Sequence, residues 1–99
     1  MKRRRVRFTA AAYRHLKSER AWWIKNRDQR ELFAKELDRA LKLLAIYPAM
    51  RSREPSAKFR NLRRFLLRKT HCHVYYTFDD HEVIVRAIWG ARRARRPVI

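Results

Sequence analysis

His71, Cys72 and His73 stand in a row, and each is a residue type that can hold a metal or move a proton. On a strand, 71 and 73 share a face while 72 points away. A metal site needs three or four converging ligands, and His15 and His81 are the other histidines. The three therefore read as ordinary strand residues, with no metal and no cofactor expected. A His or Tyr could still act as a general acid or base, and His73 is the candidate. Arg92, Arg93, Arg95 and Arg96 put four guanidinium groups within five residues. Such a cluster can bind an anionic target or steady developing negative charge. Asp79 and Asp80 are adjacent turn residues, not a catalytic acid pair. Trp22 and Trp23 lie side by side, so Trp23 is expected inward and Trp22 available to a partner.

The elements that must position these groups can be read from periodicity. Val6 and Phe8 alternate with polar residues and predict a short strand over 6–9. Thr9 is a plausible N-cap for a helix opening at Ala10. Tyr13, Leu16, Arg20, Trp23 and Ile24 recur at three- and four-residue steps and predict its inner stripe, with Arg20 lying along it through its methylenes. Asp28 and Glu31 form a capping-box-like pair for a second helix. Its apolar face is Leu32, Phe33, Leu37, Ala40, Leu41 and Leu44, flanked by Leu43 and Ile46. Glu31–Lys35 and Asp38–Lys42 are favourable pairs on its outer face. Pro48 ends it.

Residues 49–59 carry two Pro-linked turns and predict an exposed loop. Beyond 60 the period becomes two. Leu62, Arg64 and Leu66 alternate with Arg63, Phe65 and Leu67 on a second strand. His71–Phe78 is a third, with Tyr75 and Tyr76 on opposite faces. Glu82–Trp89 is a fourth, with Val83, Val85, Ala87 and Trp89 on one face and Ile84 and Ile88 on the other. Gly90 stops it. The order is β-α-α-β-β-β, an α+β domain with a helical hairpin on a small, mostly antiparallel sheet. No linker divides residues 1–99, which are expected to form one domain.

The charge narrows the partners. Lys and Arg number 27 against nine Asp and Glu, a formal +18. Segments 1–18, 55–78 and 83–99 contain no acid at all. Nucleic acid or an acidic protein fits this balance. A membrane partner does not, since no apolar run approaches the roughly 20 residues of a spanning helix. No signal-peptide core follows the basic Met1–Arg5 start, and the single Cys suits a reducing cytoplasm.

The local strings resemble the RelE/ParE toxin superfamily, and its ParE-like branch in particular. They are Glu19-Arg20-Ala21-Trp22-Trp23, Leu32 through Leu41 running on to Tyr47-Pro48, Leu62 through Leu67, His73-Val74-Tyr75-Tyr76, and Ala87 through Arg93 followed by Pro97. The resemblance implies the toxin of a type II toxin–antitoxin system, held by a cognate acidic antitoxin. DNA gyrase is the implied target, and a RelE-like ribosome-dependent mRNA endoribonuclease is the alternative. By the RelE pattern the nuclease residues would fall at His73, Arg92 and Arg93. The RelE C-terminal Tyr has no counterpart, since Val98 and Ile99 occupy that place. This incomplete set favours inhibition by binding over catalysis. Target or nucleic-acid binding is expected at Arg92, Arg93, Arg95 and Arg96. Antitoxin binding is expected at Trp22, Arg64 and Tyr76. A homodimer and a heterotetramer with the antitoxin are both compatible with this reading.

Overall fold

A computed structural model describes residues 2–93 and 95–99. Met1 of the basic start and Ala94 within the arginine tail lie outside the described residues. The elements are β1 (Arg5–Phe8), α1 (Ala10–Asn26), α2 (Leu32–Ile46), a 3-10 turn (Pro48–Met50), β2 (Arg63–Leu67), β3 (Cys72–Phe78) and β4 (Glu82–Gly90). The sheet order is β1-β4-β3-β2. β1 runs parallel to β4, and the other two pairings are antiparallel. The helical hairpin on a mostly antiparallel sheet is thus the α+β arrangement expected.

Thr9 caps α1 as its side chain predicts, accepting the Ala12 N–H at 3.1 Å. The inner stripe of α1 is rotated from the expected one. Ala12, Glu19 and Trp23 are buried, while Tyr13 and Ile24 are exposed. Arg20 points outward to Glu31 at 3.4 Å. The buried carboxylate at Glu19 explains the shift: hydropathy puts Glu outside, but here it has a cationic partner within the fold.

α2 opens at Leu32 rather than at Asp28, and Glu31 makes no side-chain cap. Its carboxylate faces Arg20 instead, so neither the capping box nor a Glu31–Lys35 pair forms. The Asp38–Lys42 pair does, at 2.9 Å. Phe33, Leu37, Ala40 and Leu44 are buried as the period predicts. They pack with Phe65, Leu67, Cys72, Val74, Tyr76, Val83, Val85 and Ile88 into the main core.

β4 departs from simple alternation. Tyr75 pairs with Ala87 and Tyr76 with Val85, leaving Arg86 as the extra residue of a bulge. The bulge reverses the facing of everything after it. Val83, Val85 and Ile88 therefore share the helical side, and Ala87 and Trp89 take the other. The second side of the sheet is also covered. Phe59, Trp89 and Ile99 pack around Leu62, Tyr75 and Ala87. The 49–59 loop is consequently not wholly exposed: Glu54 N–H bonds the Leu62 carbonyl at 2.7 Å, and Arg53 bridges Arg63.

Candidate functional site

Gly90 is the last residue of β4, and the described tail departs from it. Its φ is not positive, so the need for glycine is one of space. A Cβ there would stand 2.5 Å from an Arg92 guanidinium nitrogen and 2.9 Å from Glu19 Oε1. Glu19 reaches this point from α1 and is completely buried. Arg92 donates to both of its oxygens, at 2.9 and 2.8 Å, and Arg93 lies 3.6 Å from Oε1. Cys72 Sγ–H also points to this carboxylate at 3.6 Å. Burial and the nearby Glu19 charge push the Cys72 thiol up to about 12.

The indoles hold the same arginines. Arg92 lies over Trp22 at 4.0 Å and Arg93 over Trp89 at 4.2 Å. Further along, Trp89 Nε1–H donates to the Arg95 carbonyl at 2.5 Å, and Arg96 lies 3.2 Å from Glu54. The arginine tail is thus fastened to α1, β4 and the 49–59 loop. Charge counting revealed the four arginines. Nothing in their spacing revealed the anchors, because Glu19 is 73 residues from Arg92.

His73 lies elsewhere. It sits on β3 opposite Trp89 and Leu66, half-buried, on the side away from the helices. Burial lowers its pKa, with Arg64 and then Arg96 adding to the effect against Glu54. Its Nδ1 is buried without a hydrogen-bond partner. The charged groups acting on it are thus Arg64, Arg96 and Glu54, while Arg92 and Arg93 are held by Glu19. Of the expected nuclease trio, His73 and Arg93 share Trp89 as a neighbour, while Arg92 is engaged by Glu19 and Trp22.

The three expected antitoxin residues are also separated. Trp22 is half-buried under Arg92 and Arg27. Arg64 lies 3.7 Å from Glu54 on the far side of the sheet. Tyr76 is fully buried, and its hydroxyl donates to the Pro48 carbonyl at 2.6 Å. Tyr76 is therefore a core residue and not a surface for a partner. Its run of apolar neighbours, Val74-Tyr75-Tyr76, was the signal for that.

A different surface is open. Between α2 and the edge strand β2 runs a groove of about 490 Å³, floored by Leu32, Ala40, Leu43, Phe65, Leu66 and Leu67. Lys35, Arg39, Arg51, Arg68 and Lys69 rim it, and among the described residues Glu36 is its one carboxylate. Leu43 and Leu66 are exposed apolar residues within it. The sequence hinted at this groove through Leu43 and Leu66, which fall outside the two core stripes. Among the described residues no group of three or more His, Cys, Asp or Glu could hold a metal ion. No helix among them is long and apolar enough to cross a membrane.

Comparison with known proteins completes the picture. No curated protein matches the chain. Among solved structures, a chain of the "Chromosomal ParDE TA system from P. aeruginosa" superposes with a TM-score of 0.71 at 12% identity. The match covers 91% of this chain and 98% of that one, and shows a shared fold. Residues 6–95 match the family described as "ParE toxin of type II toxin-antitoxin system, parDE". With that match running from Val6 in β1 to Arg95 in the tail, the chain belongs to the ParE toxin family of type II toxin–antitoxin systems.

Proposed function

We propose that this toxin acts in the cytoplasm by binding and inhibiting DNA gyrase, and that an acidic antitoxin segment neutralises it in the groove between α2 and β2. The observation that carries inhibition by binding is that Arg92 and Arg93 are ion-paired to the buried Glu19 while no hydrogen bond orients His73 through its Nδ1. An acid–base group and its charge-stabilising partners must converge within hydrogen-bond reach of one scissile phosphate. Here Glu19 of α1 engages both arginines, and His73 Nδ1 is buried with no partner to fix the ring for proton transfer. Family membership supports the same reading.

The groove supports the antitoxin. Its apolar floor suits hydrophobic anchors, and its five-cation rim suits acidic flanks. Antitoxin binding would also relieve the self-repulsion of a +18 chain and stabilise the folded toxin by mass action.

Expression in growing cells, followed by parallel readouts of DNA damage and mRNA integrity, tests the target. Growth should stop with filamentation and DNA breaks while mRNA stays intact. Early mRNA cleavage at ribosome-defined positions would instead establish the RelE-like nuclease reading and remove the gyrase one.

A further inference from the structure

A second cleft, of about 520 Å³, shares Lys69 with the apolar groove. Trp22, Trp23, Arg27, Lys69, His71 and Arg92 line it, together with Thr70 and Ala91. We infer that this cleft binds the phosphate groups of a nucleic-acid strand.

The charged groups of the lining are all cationic and are set among the Trp22 and Trp23 rings. Arg27, Lys69 and Arg92 come from three separate segments: the end of α1, the β2–β3 turn and the tail. Among the described residues no carboxylate lines the cleft. Glu19 stands behind Arg92 and occupies only its NH1 group, so the NH2 and Nε donors remain to be used. The Trp23 indole N–H is buried without a partner, although Trp23 lines the same cleft.

The cations are also held in place. Arg27 and Arg92 both lie over the Trp22 ring, at 4.7 and 4.0 Å. That stacking orients two guanidinium forks around one indole before any ligand arrives. The turn carrying Lys69 is fixed from below. Glu36 of α2 accepts the Lys69 N–H at 2.8 Å, the Thr70 N–H at 3.0 Å and the Thr70 hydroxyl at 2.7 Å. His71 follows with φ 56, the left-handed conformation that closes the turn.

This chemistry favours phosphate over a peptide partner. A docking peptide needs apolar floor for its anchors, and that floor lies in the neighbouring groove. Here the half-buried Trp22 indole is already stacked by Arg27 and Arg92, which sets two guanidinium groups at the cleft. A volume of this size exceeds what one carboxylate would fill and falls within the range of ligand pockets. The inference stands apart from the choice of protein target, and its failure would leave that choice untouched.

The test uses the full chain and a labelled single-stranded oligonucleotide of roughly twelve nucleotides, followed by fluorescence anisotropy over a salt series. Arg27→Gln with Lys69→Gln should weaken binding about tenfold and lower the log–log salt slope by about 1.4, near 0.7 per lost phosphate contact. Lys17→Gln with Lys42→Gln removes the same charge away from the cleft and should change both much less. Circular dichroism checks that each pair remains folded. Equal losses in the two pairs would overturn the site, because general attraction to +18 would then explain all the binding. A cleft occupied by inorganic phosphate or by polyglutamate, with oligonucleotide binding insensitive to Arg27 and Lys69, would overturn the assignment to nucleic acid.

Discussion

Replacing Arg92 by alanine leaves the Glu19 carboxylate fully buried, with Arg93 at 3.6 Å to offset its charge. Breaking a buried pair from one side is costly because desolvation of the remaining ion is no longer compensated. Arg92→Ala should therefore lower stability by about 3 kcal/mol, measured by urea denaturation. Glu19→Gln keeps the shape and removes the buried charge, so it should cost less. The titrating groups make a second prediction at this scale. The Cys72 thiol is raised from 9.0 to about 12 and the Tyr76 phenol from 10.0 to about 12, each first of all by burial. The folded chain thus holds these protons where the unfolded chain has released them. Their contribution is intact below pH 9 and is lost as pH rises toward 12. His15 and His73 are lowered from 6.5, chiefly by burial. Their contribution is intact above pH 6.5 and is lost as pH falls through the lowered values. Stability against pH should form a plateau between these limits. A curve still rising at pH 10 would contradict the buried, protonated state of Cys72 and Tyr76.

At the scale of elements, Gly90 links a strand end to the ion pair. An alanine there must displace Arg92 or Glu19, which touch the space its Cβ would take. Gly90→Ala should cost about 1–3 kcal/mol, and combining it with Arg92→Ala should give less than the sum, because both disturb one contact. A double-mutant cycle in urea measures this. The same region shows what periodicity could and could not reveal. The order β-α-α-β-β-β, the Thr9 cap and the buried stripe of α2 follow from local patterns and were legible. The β4 bulge was not, because one extra residue at Arg86 shows no mark in an alternating apolar run. The α1 stripe was misplaced for a related reason: Glu19 is inside only because the tail returns to it. Of the candidate site, the arginines were legible as charge and Trp22 as an aromatic beside them. Their anchors depend on long-range pairing, as does the groove, which exists only once β2 has come beside α2.

The whole molecule separates its surfaces by chemistry. An apolar groove with a cationic rim lies between α2 and β2, and a cleft carrying Arg27 and Arg92 shares Lys69 with it. The charge of +18 surrounds both. Its self-repulsion should weaken as salt rises, so the free chain should gain stability with ionic strength. Leu43→Glu places a carboxylate in the groove at an exposed position, and so should spare folding. It should weaken antitoxin binding by about 2 kcal/mol, roughly thirtyfold, by calorimetry, while toxicity persists. Unchanged affinity would move the antitoxin to another surface. The central claim is inhibition of gyrase by binding, and supercoiling by purified gyrase tests it most directly. Added toxin should suppress ATP-dependent supercoiling of relaxed plasmid, and His73→Ala should leave that effect intact. Full supercoiling at saturating toxin, with ribosome-bound mRNA cut by the same preparation, would contradict it.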